Sequence, residues 1–222
     1  MADTLGAGRR AEAGVTGRDL RLAAEFAVVF VGLPLVMALR IPPQWLWPVM
    51  IGLTVAAAVL LSATPGFRWR SLAGARVDGR VLGLAALATA VASALLVWWL
   101  VPDRFLALPR RAPAMWLLIM ALYPLLSALP QELIFRALFF GRYRTLFPSE
   151  RVAVAGNALV FGLAHLMFWN WVAVALCVAG GAIFALGYLR HGFLQAVLLH
   201  ALCGGILFTS GLGTFFYHGA VG

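Results

Sequence analysis

The stretch that decides the fold is residues 81–101, VLGLAALATAVASALLVWWLV, which contains no charged residue. An α-helix rises about 1.5 Å per residue, so a helix of this length spans the roughly 30 Å hydrocarbon core of a bilayer. The run offers no polar face to water, unlike the surface helix of a soluble protein. The sequence therefore predicts a membrane-spanning helix here.

Six further stretches share this apolar character. They are residues 20–39, 45–63, 115–140, 152–168, 171–189 and 193–212. The whole chain of 222 residues is 63% hydrophobic and 11% charged, against roughly 45–50% and about 25% in soluble domains. We therefore predict an all-α fold, a polytopic transmembrane bundle with about seven spanning helices in the lipid bilayer.

The basic residues indicate how the chain is oriented. All 17 are arginine, and the formal charge is +9. They lie between the apolar runs rather than on one helix, so we expect a membrane protein and no nucleic-acid partner. Arginines precede the first stretch and follow the second, fourth and sixth, although the third loop also holds Arg104, Arg110 and Arg111. The positive-inside rule predicts a cytoplasmic N-terminus, and we expect a bacterial inner membrane.

The same pattern suggests a division of the chain. We predict a flexible cytosolic tail over residues 1–19, N-terminal transmembrane helices over 20–112, a functional core over 113–212 and a C-terminal tail over 213–222. Glycines 180, 181 and 187, with glycines 204 and 205, predict close helix contacts, because small residues let backbones approach. Cys177 and Cys203 lie in apolar runs and are expected to pack there.

Two opposite charges interrupt the fourth apolar stretch. Glu132 and Arg136 are four residues apart and share one helical face, so they can form an ion pair. An ionisable residue at membrane depth normally faces the bundle interior or a watery cavity and is a functional candidate. A structural ion pair is an equally good explanation of these two residues alone.

His165 and His200 fall at a comparable depth. Counting about 1.5 Å per residue from the nearest arginines puts Glu132 and both histidines roughly 14–21 Å from the cytoplasmic side, so they can lie in one layer. Glu25, in the first stretch, either pairs with an arginine of the bundle or reaches water near Arg18 and Arg21. We favour the second explanation.

A carboxylate and two imidazoles in a partly dry cavity can activate water. The Glu132 carboxylate can act as general base, one histidine can bind the water, and the other can donate to the developing oxyanion. The same three residues, Glu132, His165 and His200, also suit a zinc site. The residues alone leave both mechanisms open. No Gly-x-Ser-x-Gly nucleophile motif is present.

The ordered motifs resemble the CPBP family of intramembrane proteases, which includes type II CAAX prenyl proteases and bacteriocin-processing or abortive-infection-like proteins. The family pattern is Glu-Glu-x-x-x-Arg, then Phe-x-x-x-His, then His-x-x-x-Asn. This chain has Gln131-Glu132-x-x-x-Arg136, Phe161-x-x-x-His165 and His200-x-x-x-Gly204. It therefore departs from the pattern at Gln131 and Gly204.

The resemblance implies an intramembrane endopeptidase acting on a membrane-associated protein or peptide. Glu132 would be the base, His165 would bind the water, and His200 would stabilise the oxyanion, with Arg136 holding Glu132 ionised. Because an amide replaces the first motif carboxylate, the alternative is a catalytically impaired member that acts as a membrane binding or immunity protein. A transporter ranks third, since no internal repeat is visible.

Overall fold

The fold is a bundle of helices, seen in a computed structural model that describes residues 16–74 and 76–216. That part of the chain contains no β-strand. We number the helices α1 to α8 in chain order. They are Gly17–Arg40, Leu46–Ser62, Gly79–Leu100, Ala107–Arg111, Pro113–Arg142, Glu150–Ala164, Trp171–His191 and Phe193–Ser210.

The prediction of about seven spanning helices is confirmed. Six helices in the described ranges are long and apolar enough to cross a membrane, with α6 extended through a 3-10 turn to Phe168. The helix α2 is also apolar but has 17 residues. The short helix α4 has no counterpart among the predicted stretches, because its arginines and proline interrupt the apolar pattern.

Polar side chains fix where several helices begin. Asp78 precedes α3 and accepts hydrogen bonds from the backbone N–H groups of Val81 and Arg80, which lower the pKa of its carboxyl. Ser149 caps α6 and Asn170 caps α7 in the same way. These residues satisfy N–H groups that a helix start leaves without partners, so the short loops set the helix boundaries.

The apolar side chains of α3 face outward. Leu84, Leu87, Val91 and Leu95 are each more than half exposed. Buried positions of the bundle instead include polar side chains, namely Ser93, Gln131, Glu132, Arg136, Asn157, Gln195, His200 and Ser210. Water would not favour this arrangement, but lipid does. The protein is therefore an integral membrane protein.

Small residues bring α6, α7 and α8 together. A Cβ added at Gly181 would lie 3.0 Å from the Cα of Ala158, which leaves no room for a larger residue between α6 and α7. A Cβ at Gly187 would overlap the Leu199 side chain on α8. The predicted close contacts at these glycines are confirmed, and they pack the helices that carry the second and third motifs against α7.

The start of α1 is bound to the end of α5. Glu25 accepts hydrogen bonds from Arg142 and from the Tyr143 hydroxyl. Burial and this hydrogen bond raise the pKa of Tyr143. Our preference for a water-facing Glu25 was therefore wrong, because its carboxylate pairs with an arginine of the bundle. The aromatic rings of Phe26, Phe30 and Phe139 pack beside this contact.

Parts of both predicted tails lie outside the described residues, namely 1–15 and 217–222, which include His218. At the N-terminal end, α1 begins at Gly17 and is closed by a capping box between Thr16 and Asp19. At the C-terminal end, Leu212–Phe216 forms a 3-10 turn after α8.

Candidate active site

A cavity of about 820 Å³ lies inside the bundle. Its wall is mostly apolar and is formed by residues of all the spanning helices. Only a few polar side chains line it, and most of them come from the motif-bearing helices: Thr89, Ser93, Tyr123, Ser127, Gln131, His165 and His200. An apolar cavity with a few convergent polar groups is the usual form of a binding or active site.

Glu132 lies behind this wall rather than on it. Its side chain is fully buried, and it is not among the residues that line the cavity. Its Oε1 atom lies 2.8 Å from the Nδ1 atom of His200, at hydrogen-bond distance. The Nε atom of Arg136 lies 3.1 Å from Oε2, close enough for an ion pair, although the two groups are not aligned for a hydrogen bond. Glu132 thus joins Arg136 to His200.

Arg136 is a fully buried cation. Its guanidinium carbon lies 4.8 Å from the centre of the Phe161 ring and 5.7 Å from that of Phe184. Aromatic faces attract a desolvated cation, and Glu132 supplies the opposite charge. These contacts confirm the predicted pairing of Glu132 with Arg136. They also give Phe161 a role as packing partner of the site.

Gln131 is the member of the Gln131-Glu132 pair that lines the cavity. Its Nε2 atom donates a hydrogen bond to Ser127 Oγ at 2.8 Å, while its Oε1 atom has no partner among the described residues. Neighbouring positions on a helix point about 100° apart, so the two side chains cannot both face one cavity. The amide therefore occupies the cavity-facing position, and the carboxylate occupies the buried one.

The two histidines both pack edge-on against the Phe161 ring. The centre of the Phe161 ring lies 4.7 Å from that of His165 and 5.5 Å from that of His200. Each Nδ1 atom faces an acceptor, because His165 Nδ1 lies 2.7 Å from the carbonyl oxygen of Phe161 and His200 Nδ1 contacts Glu132. In the tautomer that these contacts assign, Nδ1 carries the proton and Nε2 keeps its lone pair.

The backbone of α5 changes form immediately after Glu132. Leu133–Leu138 is a π-helix, the wider turn that often occurs at functional sites. Asn157 on α6 is fully buried, and its Nδ2 atom donates to the carbonyl oxygen of Phe135 inside this segment, at 2.5 Å. The Asn157 amide thus gives a buried carbonyl a partner and ties α6 to the segment that holds Arg136.

Glu132, His165 and His200 do not form a metal-binding cluster. Over residues 16–74 and 76–216, no three His, Cys, Asp or Glu side chains are grouped closely enough to hold a metal ion. Glu132 Oε1 contacts His200 Nδ1 and the Glu132 side chain does not line the cavity, so the carboxylate does not join the two Nε2 atoms as a third ligand. The geometry therefore does not fit the three-ligand zinc site that we considered from the sequence.

The sequence did not single out three polar residues of this region. Tyr123 and Ser127 precede Gln131 by eight and four residues, so the three share one face of α5 and line the cavity together. Asn157 is a polar residue in an apolar helix. The i, i+4, i+8 spacing was the available signal for the first two, whereas the role of Asn157 depends on a contact between helices.

The comparison with protein families agrees with the motifs. A family model described as type II CAAX prenyl endopeptidase Rce1-like matches residues 113–206, from the start of α5 into α8. The predicted resemblance is confirmed over this segment, which contains all three motifs. No curated protein and no solved structure matches the chain.

Proposed function

Because residues 113–206 match the Rce1-like prenyl endopeptidase family, we propose that this membrane protein is an intramembrane endopeptidase. Its substrate is a membrane-associated protein or peptide, and the reaction is hydrolysis of a peptide bond at the cavity. The apolar wall of the cavity suits a substrate that arrives from the bilayer, because an apolar segment then passes from lipid into a similarly apolar environment.

One contact carries the proposal, the hydrogen bond of 2.8 Å between His200 Nδ1 and Glu132 Oε1. A buried carboxylate on one imidazole nitrogen orients the ring and stabilises its protonated form, which makes the other nitrogen an effective base. Here the carboxylate lies behind the cavity wall and the imidazole lies on it. We therefore assign the base to the Glu132–His200 pair, with Glu132 acting through His200 rather than directly on water.

A water molecule would bind between the two histidines and Gln131. The Nε2 lone pairs of His165 and His200 can each accept a hydrogen bond from one of the two protons of the water, and the second N–H of the Gln131 amide can donate to the water oxygen. Ser127 Oγ accepts the first N–H of this amide, which restricts its rotation. An amide is not a base near neutral pH, so Gln131 orients the water and does not deprotonate it.

The proposed reaction uses two proton transfers. The water oxygen forms a bond to the carbonyl carbon of the substrate, while one water proton passes to His200 Nε2. The resulting imidazolium is stabilised by Glu132, whose charge Arg136 balances. The carbon–nitrogen bond then breaks, and the proton moves from His200 to the leaving amine. Water is the only co-reactant, and His200 returns to its starting form.

We propose that the N-terminus is cytoplasmic, as the arginine pattern predicts. The contact of Glu25 with Arg142 puts the arginines near the start of α1 at the same end of the bundle as those that close α5. A backbone hydrogen bond from Arg76 to His191 joins the loop before α3 to the end of α7 at that end as well. Four arginine-bearing segments are thus joined in two pairs, which supports a common cytoplasmic face.

A catalytically impaired binding protein is the second candidate. The observation that favours it is the amide of Gln131 at the cavity-facing position, together with the missing side chain at Gly204. In this case the cavity would hold a peptide or partner helix without cleaving it. Gln131→Glu should then leave peptide binding intact and produce no cleavage, whereas a peptidase that uses His200 is active before any substitution.

The proposed activity is tested with the full chain in liposomes and a membrane-tethered peptide library. We expect cleavage by the unmodified protein and a loss of about a thousandfold or more in kcat for His200→Ala, since the base is removed. The matched control is His191→Ala, because His191 lies at the end of α7 and does not line the cavity.

Mass spectrometry of the peptide products measures the cleavage rates of the unmodified protein and of the His200→Ala and His191→Ala variants. A thermal unfolding midpoint for each variant shows whether the fold is retained. Equal cleavage by the His200→Ala and His191→Ala proteins contradicts the assigned base, and an unmodified protein that cleaves no member of the library contradicts the peptidase itself.

A further inference from the structure

The space beside Gly204 is filled by the side chain of Tyr123. A Cβ added at Gly204 would lie 2.6 Å from Tyr123 Cζ and closer still to its hydroxyl oxygen. No rotamer change at position 204 avoids this overlap, because the Cβ is fixed by the backbone. Glycine at 204 and tyrosine at 123 are therefore sterically coupled, and the phenol occupies the volume that a side chain on α8 would otherwise take.

The position of this phenol relates it to the reacting groups. Gly204 follows His200 by four residues, so the two lie on one face of α8 about 6 Å apart along the helix axis. The Tyr123 ring itself packs edge-on against the His200 ring, with centres 6.0 Å apart. Tyr123 also lines the same cavity as Gln131, His165 and His200.

The Tyr123 hydroxyl can donate a hydrogen bond. The hydrogen bonds of the site join Gln131 to Ser127 and His200 to Glu132, and none of those among the described residues uses the Tyr123 hydroxyl. The ring is held on its other side by Phe208, at 5.3 Å between ring centres. A phenolic O–H that is fixed by packing and lacks a protein partner is available to a ligand in the cavity.

From this arrangement we infer that Tyr123 is a catalytic residue whose hydroxyl donates a hydrogen bond to the oxyanion of the tetrahedral intermediate. This inference rests on the proposed peptidase function. It gives the site the side-chain donor that Gly204 lacks, and it leaves His200 free to carry the proton. The hydroxyl keeps its own proton throughout, so the proton balance of the reaction is unchanged.

The first test is Tyr123→Phe, which removes the hydroxyl and keeps the ring against His200 and Phe208. We expect kcat for the membrane-tethered peptide to fall about a hundredfold with KM nearly unchanged, because the donor acts on the transition state. The matched control is Tyr188→Phe, since Tyr188 stacks on Phe140 and does not line the cavity. Unchanged kcat in the Tyr123→Phe protein overturns the inference.

A second test reads binding instead of turnover. A phosphinate peptide, in which tetrahedral phosphorus replaces the scissile carbonyl, mimics the charged intermediate. The Tyr123→Phe substitution should weaken phosphinate binding by about a hundredfold. Binding of the corresponding uncleaved peptide should be unchanged. Equal weakening of both ligands would indicate a packing role only and would overturn the inference.

The steric coupling allows a rescue experiment. Tyr123→Ala frees the space beside position 204, so Gly204→Asn in the same protein can supply an amide donor there. We expect this double variant to regain at least about tenfold in kcat over Tyr123→Ala, a part of what one oxyanion donor contributes. Gly204→Asn alone should inactivate the protein through its overlap with Tyr123. No recovery in the double variant counts against a donor role.

These measurements separate the two claims. Cleavage by the unmodified protein that is indifferent to Tyr123→Phe refutes the role of Tyr123 and leaves the peptidase standing. If the protein cleaves no peptide but binds the phosphinate, and Tyr123→Phe weakens that binding, the peptidase proposal is refuted and the donor role of the hydroxyl stands. A protein that neither cleaves nor binds the phosphinate refutes both.

Discussion

Arg136 is the residue of this site whose burial depends most on a partner, because its side chain is charged. The guanidinium is fully buried, and Glu132 is the one acidic side chain within ion-pair distance of it in the described ranges. A buried charge without a counter-charge is strongly destabilising, whereas an apolar pair of similar volume is often tolerated. The pair therefore has a structural role as well as the catalytic one that we propose.

This structural role predicts that the effects of substituting Glu132 and Arg136 on the free energy of unfolding are not additive. Glu132→Leu should lower the free energy of unfolding by about 3–5 kcal/mol, because Arg136 stays buried without a partner. Adding Arg136→Met should restore most of that loss. Denaturant titration in detergent micelles measures both values, and Glu150→Leu, at an exposed position of α6, is the control. A double variant that is less stable than Glu132→Leu would contradict the predicted coupling.

The sequence was informative about residues whose relationship is local. The spacing of Glu132 and Arg136 predicted their contact, and counting residues along the helices predicted that His200 reaches the depth of Glu132. The favoured water-facing position of Glu25 was wrong and the alternative of a bundle arginine was right, because the Arg142 contact depends on how α1 meets α5. Tyr123 was missed for a related reason, since its importance follows from the contact with Gly204 on a different helix.

At the scale of helices, α5 contains two π-helical segments, Pro124–Ala128 and Leu133–Leu138, and the second of them holds Arg136. Gln131 precedes this segment and lines the cavity, whereas Arg136 lies within it and is directed toward Phe161 and Phe184. A buried backbone carbonyl needs a hydrogen-bond partner. Asn157 donates a buried hydrogen bond to the carbonyl oxygen of Phe135 within the second segment.

Removing the Asn157 side chain should therefore affect both stability and the site. We expect Asn157→Leu to lower the free energy of unfolding by about 1–3 kcal/mol, the cost of a buried carbonyl left without its donor. The control is Leu159→Ala on the exposed face of the same helix. Unfolding midpoints in one detergent measure the difference, and an Asn157→Leu protein no less stable than the control would refute the proposed role.

The apolar pattern predicted the helices well and their contacts poorly. Length and hydropathy were enough to find α3, α7 and α8 within a few residues of their bounds. The short helix α4 and the π-helices were missed, because they depend on local backbone geometry rather than on apolar periodicity. Glycines 181 and 187 were a better guide to packing, since each marks a place where one helix touches another.

For the whole molecule, the arginine distribution predicts which loops are cytoplasmic. Ser71→Cys lies in the exposed loop between α2 and α3, and Asp103→Cys lies in the loop between α3 and α4. A membrane-impermeant maleimide added to intact cells should label the second variant and not the first. The native Cys177 and Cys203 are buried and should give little background. The reverse labelling would invert the proposed orientation, and permeabilised cells, in which both variants react, provide the control.

The measurement that tests the central claim most directly is hydrolysis of a membrane-tethered peptide in water enriched in oxygen-18. The unmodified protein in liposomes should release a fragment whose new terminal carboxylate carries one oxygen-18 atom, because the attacking oxygen comes from water. The same fragment should fall to background in the His200→Ala protein. A peptide that stays intact with the unmodified protein, or a labelled fragment that forms equally fast without the His200 imidazole, would contradict the account.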